Sequence, residues 1–158
     1  MTTLSLYEDL LAPGEQLELA ASGRIVYVAS GELATLHAGS AAFGADEASL
    51  QAGRDGATVL RWELTEWSVE DAKLSTHVDL DPWADYAMRC ERDGGRAEGP
   101  GIGCVLRGEL AVDGETVRGF GAFVEPAEVY GSGSFVRVVL VRAEDSNGDA
   151  LAQGSVRL

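Results

Sequence analysis

Arg24-Ile-Val-Tyr-Val-Ala-Ser-Gly31-Glu-Leu33 reads as an apolar strand followed by a small polar residue and Gly-Glu-Leu. It returns as Gly101-Ile-Gly-Cys-Val-Leu-Arg-Gly108-Glu-Leu110. Its β-branched and aromatic residues favour a pleated, half-buried backbone. The two Gly-Glu-Leu glycines stand 77 residues apart in a chain of 158. Two further matches keep the same order: Ala42-Phe43 with Ala122-Phe123, 80 residues apart, and Gly56-Ala-Thr-Val59 with Gly133-Ser-Phe-Val136, 77 apart. The spacing predicts a duplicated β unit.

Outward from these marks the pattern is one of short strands and turns. Gln16–Ala20 alternates, and Thr58–Leu64 alternates clearly. Arg54-Asp-Gly56 predicts a tight turn between strands at 48–52 and 58–64, and Asp113-Gly114 predicts a two-residue hairpin. Ser30-Gly31-Glu32 is read as a bend from which 33–37 returns. The segment before Pro13-Gly14 reads as an edge strand or one helical turn. Residues 65–82 are polar and read as a connector with one helical turn at 68–73. The expected organisation is a first unit at 1–64, a connector at 65–82, a second unit at 83–142, and a tail or edge strand at 143–158. No segment sustains a helical period, so the class is all-β with antiparallel strands. A closed barrel or jelly roll is how such chains avoid exposed edges.

Composition narrows the function. Twenty glycines against four prolines suit many short turns, and 46% hydrophobic residues suffice for a packed core. With 12 basic and 26 acidic residues the formal net charge is -14. That charge argues against nucleic acid and anionic membrane as partners. No apolar run approaches the ~20 residues of a membrane helix, and the N-terminus lacks the pattern of a signal peptide. The cytoplasm is the expected compartment.

The order of strand, Gly-Glu-Leu, short strand and Gly-x-Ala-x-Phe resembles the cupin superfamily. Tyr27-Val-Ala-Ser-Gly31-Glu-Leu33 is similar to the end of the first cupin motif, and Gly39-Ser-Ala-Ala-Phe43 to the start of the second. Cys104–Leu110 and Gly121-Ala-Phe-Val-Glu-Pro126 repeat both. The resemblance covers roughly 10–64 and 84–142. It implies a bicupin, a duplicated antiparallel β-barrel or jelly roll. Cupin enzymes typically hold a divalent metal through histidines and a glutamate. Counting from the motifs places Glu18, Ala20, Arg24 and Leu50 at those positions in the first unit. Gly95, Ala97, Gly101 and Tyr130 fall there in the second. Neither set can hold a metal, so no metal and no cofactor are expected.

Arg24, Arg61, Arg89 and Arg137 lie inside strand patterns of an acidic chain. An arginine facing a barrel interior can grip a carboxylate through two parallel hydrogen bonds. With Glu18, Glu91, Glu125 and Tyr130 they form the candidate polar set. The ligand-binding candidates are Arg24, Glu18, Arg89, Tyr130 and Arg137; outward ion pairing is the alternative for the arginines. Around His37 and His77 the sequence sets no Cys, Asp or Glu at metal-ligand spacing, so a surface or packing role is expected for each. Cys90 and Cys104 stand nearly symmetrically about the 93–101 loop, so a disulfide or two buried thiols both fit. Trp62, Trp67 and Trp83 are expected to pack where the units meet. The function expected is a metal-free module that binds a small organic ligand or serves structure, with a second copy as another partner. A cupin-type isomerase or dioxygenase with relocated ligands is the alternative.

Overall fold

The computed structural model describes residues 2–66, 76–80, 86–93, 97 and 99–142. Among them are thirteen strands and no helix. They are β1 (Thr2–Leu11), β2 (Gln16–Leu19), β3 (Gly23–Leu33), β4 (Ala41–Gly44), β5 (Ala48–Glu66), β6 (Thr76–Asp79) and β7 (Tyr86–Arg92). There follow β8 (Gly101–Arg107), β9 (Glu109–Val112), β10 (Glu115–Arg118), β11 (Ala122–Glu125), β12 (Val129–Tyr130) and β13 (Ser134–Arg142). The chain is all-β, and every strand pairing is antiparallel.

A six-stranded sheet has the order β4-β3-β5-β1-β6, with β2 on the first part of β5; a four-stranded sheet has the order β11-β8-β13-β7. A three-stranded sheet, β10-β9-β12, completes the fold. Side chains alternate across a strand, and here both faces of both large sheets are used. Ile25 and Tyr27 of β3, Leu60 and Trp62 of β5, Ile102 and Cys104 of β8, and Val136 and Val138 of β13 share one core between the large sheets. Trp62 is fully buried there and donates its indole N–H to the Ile102 carbonyl at 3.0 Å, tying one sheet to the other. On the far face of the six-stranded sheet, Val26, Val28 and Val59 pack with Leu33, Leu36 and Leu17. On the far face of the four-stranded sheet, Val105, Phe123 and Phe135 pack under Leu110 and Val112.

The two large sheets share a strand order, with β4, β3, β5 and β1 answering to β11, β8, β13 and β7. The register refines the sequence match. Val28 pairs Val59, and Val105 pairs Phe135, each beside a one-residue shift in the pairing. With Val28 matched to Val105, Val59 answers to Phe135 and not to Val136. The offset on β5 is therefore 76, not 77. Likewise Phe43 pairs Ile25 while Val124 pairs Ile102, so Phe43 answers to Val124. A one-residue slip turns a side chain to the other face. Phe43 is accordingly 50% exposed, whereas Phe123 is 5% exposed on the opposite face, its ring filling the space over Gly103.

Several sequence expectations are corrected. The first segment is a ten-residue strand, β1, lying between β5 and β6. Arg54-Asp-Gly56 is not a hairpin turn: β5 runs through it, first beside β2, then between β3 and β1. Gly56, at φ +76°, bends the strand without reversing it. Gly31, at φ +72°, lies within β3, where a Cβ would approach the Gly56 carbonyl oxygen to 2.2 Å. The connector contributes β6, paired with β1. The helical turn expected at 68–73, Trp67, Trp83, Gly95 and the tail at 143–158 lie outside the described residues. The Asp113-Gly114 hairpin forms as expected, with φ of 49° and 85° joining β9 to β10.

Candidate functional site

Val26 and Val59 point away from the core between the sheets, and so do the strand neighbours Arg24, Arg61 and Glu63. These polar side chains gather at one end of that face. Arg24 is 2% exposed and donates Nε–H to Glu63 Oε1 at 3.0 Å. It also donates Nη1–H to the Asp46 carbonyl at 2.7 Å and Nη2–H to the Ala20 carbonyl. Arg61 donates to both carboxylate oxygens of Asp9, at 2.9 and 3.3 Å, and pairs Glu63 Oε2 at 2.8 Å. Its guanidinium lies over the Tyr7 ring at 4.5 Å. Burial acts to lower the Arg61 pKa, but the hydrogen bonds and charges of Asp9 and Glu63 outweigh it, and the shift is upward. Glu63 thus bridges two arginines.

The four-stranded sheet carries a second cluster. Arg137 answers to Arg61 at the corrected offset, and it is 1% exposed. It donates Nε–H and Nη2–H to Glu91 Oε2 at 3.2 and 2.9 Å, and Nη1–H to Glu125 Oε1 at 3.2 Å. Glu125 is fully buried as a side chain, and its Oε2 accepts the Ala127 N–H at 2.8 Å. Arg89, half exposed, pairs Glu91 Oε1 at 2.7 Å.

The expected ligand-binding residues therefore separate. Arg24 and Arg137 lie in different clusters, on different sheets. Arg89 joins the cluster of Arg137 from its exposed side. Glu18 faces solvent on β2 and accepts the Ser49 hydroxyl at 3.0 Å; Tyr130, 65% exposed on β12, joins neither cluster. The sequence reading misses Asp9, whose partner Arg61 lies 52 residues away, and Glu63, which bridges Arg24, 39 residues away, and Arg61 on its own strand. A correct strand offset would have matched Arg61 with Arg137.

The positions counted from the motifs do not fit a metal. Ala20, Arg24 and Leu50 supply no ligand atom, nor do Ala97 and Gly101, and Glu18 and Tyr130 point into solvent. No group of three or more His, Cys, Asp or Glu among the described residues has metal-holding geometry. An open hollow of about 330 Å³ lies elsewhere, between Leu10, Leu11, Ser30, Gly31, Asp55 and Thr58. None of the arginines borders it.

Cys90 and Cys104 are free thiols. The symmetry of their sequence positions does not pair them, because β13 runs between their strands: Cys90 lies opposite Val138 and Cys104 opposite Val136. Burial pushes both thiols from 9.0 up to about 12, helped by the charge of Glu91 at Cys90 and of Glu8 at Cys104. Iodoacetamide at pH 8 is expected to label both thiols far more slowly in the folded protein than after denaturation, and the buried Cys104 more slowly than the partly buried Cys90; fast labelling of native Cys104 would contradict its burial. The folded thiols ionise later than the unfolded ones, so they cost no stability below about pH 9. Between 9 and 12 the unfolded chain is favoured increasingly.

No protein-family model matches the sequence, and no curated protein matches it. The chain is similar to a solved structure, a cupin 2 conserved barrel domain protein from Leptotrichia buccalis, at 15% identity and a TM-score of 0.46. The alignment covers 89% of this chain and 84% of that one.

Proposed function

We propose that this protein is a cupin-like binding or structural module that works through its surface and not through chemistry inside its sheets. The observation behind this reading is the commitment of Arg24 and Arg137. Both are almost fully buried, and both hold carboxylates and carbonyls of their own chain. A ligand carboxylate would have to displace these pairs and leave buried charges uncompensated. Residues 1–64 and 83–142 are read as tandem copies, a reading supported by the shared strand order. Each copy fills its interior with an arginine–carboxylate cluster and an apolar core.

The test is metal content. Protein incubated with Fe, Mn, Ni and Zn and then dialysed is expected to retain far less than one equivalent by elemental analysis. A stoichiometric ion, abolished by replacing Glu91 and Glu125 with glutamine, would overturn the proposal in favour of a cupin-type enzyme with relocated ligands.

A further inference from the structure

We propose that the open hollow at the end of the β3-β5-β1 rows is a binding site for a small primary aliphatic amine. This rests on the reading of the protein as a binding module and names the class of ligand its surface takes. The hollow measures about 330 Å³ and is bordered by Leu10, Leu11, Ser30, Gly31, Asp55 and Thr58. That volume stands at the low end of the range for small-molecule sites.

The strand register explains why a hollow forms here. Thr58 pairs with both Leu10 and Ser30, so the three stand in one row across β1, β5 and β3. The row before it holds Glu8, Leu60 and Tyr27, and Leu60 and Tyr27 are covered by the core between the sheets. One step further β3 and β5 bend at Gly31 and Gly56, both at positive φ. The row there is left open: Leu10 is 70% exposed, and Ser30 is exposed beside it.

Asp55 is the charged residue that borders the hollow. Its carboxylate makes no hydrogen bond or ion pair among the described residues, and neither do the hydroxyls of Ser30 and Thr58. In this it differs from Asp9, Glu63, Glu91 and Glu125, each held by an arginine of the same chain. Arg54 precedes Asp55 in β5 but does not border the hollow. An ammonium group donates three hydrogen bonds, and one carboxylate with two hydroxyls supplies acceptors for them. Leu10, Leu11 and Ala12 flank an aliphatic stem. The formal net charge of -14 attracts cations and repels anions, and Glu8, one row away on the face of Leu10, strengthens the negative field. The four-stranded sheet carries the opposite sign at the matching row. With strand offsets of 77 and 76, Ser30 and Thr58 answer to Arg107 and Ser134, which pair with each other. That row holds a cation of the chain itself, where the hollow offers only Ser30.

NMR titration in EDTA with n-hexylammonium, n-hexanol and n-hexanoate tests this. Hexylammonium is expected to shift the amides of Gly31, Gly56, Ala57 and Thr58 saturably. Hexanol keeps the stem and loses the charge, so it should bind about tenfold more weakly, and hexanoate should not bind. Asp55→Asn is expected to weaken hexylammonium binding about tenfold. Glu115→Gln, the same change of charge at an exposed site on the three-stranded sheet, should leave it unaltered. Equal affinity for hexanol would overturn the proposal, as would hexylammonium binding that survives Asp55→Asn unchanged. Shifts that never saturate and spread over the acidic surface would overturn it too. Because EDTA withholds metal, a stoichiometric ion found by elemental analysis would count against the module reading and leave the amine site to be decided by this titration.

Discussion

Arg137→Met is expected to lower the unfolding free energy by about 3–5 kcal/mol, because it leaves the buried Glu125 carboxylate without its charge partner and takes one of two arginines from the partly buried Glu91. Among the described residues Glu125 then keeps the Ala127 N–H, and Glu91 keeps the half-exposed Arg89. Desolvating a charge without its partner costs more than the pair itself contributes. Urea denaturation checks this: the midpoint should fall with an unchanged slope. Arg137→Met combined with Glu91→Leu and Glu125→Leu should regain much of the loss, since packed apolar groups of similar volume replace buried ion pairs well. Arg118→Ala is the control. Its pair with Glu109 is largely exposed, at 80% and 62% of the two side chains, and such pairs contribute about 0–1 kcal/mol. An Arg137→Met loss as small as the control would mean that the cluster does not hold the second sheet together.

Trp62→Ala is expected to cost a comparable amount, about 3–5 kcal/mol, as a large buried side chain removed from a core that cannot collapse around the gap. The side chain lies between Leu4, Leu6 and Ile25 on its own sheet and Ile102 and Val138 on the other. Trp62→Phe separates the two contributions. It keeps most of the volume but leaves the Ile102 carbonyl without its donor, at a cost of about 1–3 kcal/mol. Thermal unfolding followed by circular dichroism checks both variants. If Trp62→Ala shifted the midpoint no more than a surface substitution, the two sheets would not be packed through this residue.

Local patterns carried much of the fold. Asp113-Gly114 specified its hairpin because the turn needs two residues that tolerate positive φ. Ile25–Val28 specified a strand because its residues pack on both faces, two toward one core and two toward another. β1 was illegible for the opposite reason. Thr3, Ser5, Glu8 and Asp9 look like an edge, and only the strands on either side show that Thr3 and Ser5 are buried. The matched segments were visible in the sequence, but the bulges near Ser30 and Ser134, which shift the strand pairing by one residue, do not show there. That single residue hid the match between Arg61 and Arg137. The arginine clusters were half legible: a basic residue in a strand signals a partner, and Glu63 stands two residues from Arg61 on the same face, but Asp9 reaches Arg61 and Glu63 reaches Arg24 only through the sheet.

The position of β13 bears on how the protein is made. It is the last described strand in the chain, yet it runs between β8 and β7 and contributes Val136, Val138 and Leu140 to the central core. Synthesis from the N-terminus can complete the β1–β3–β5 pairing while the partner sheet still lacks its middle. During that interval Ile25, Leu60 and Trp62 present an uncovered apolar surface, the kind of intermediate that aggregates or recruits chaperones. The formal net charge of -14 places like charges on neighbouring nascent copies, which opposes such association.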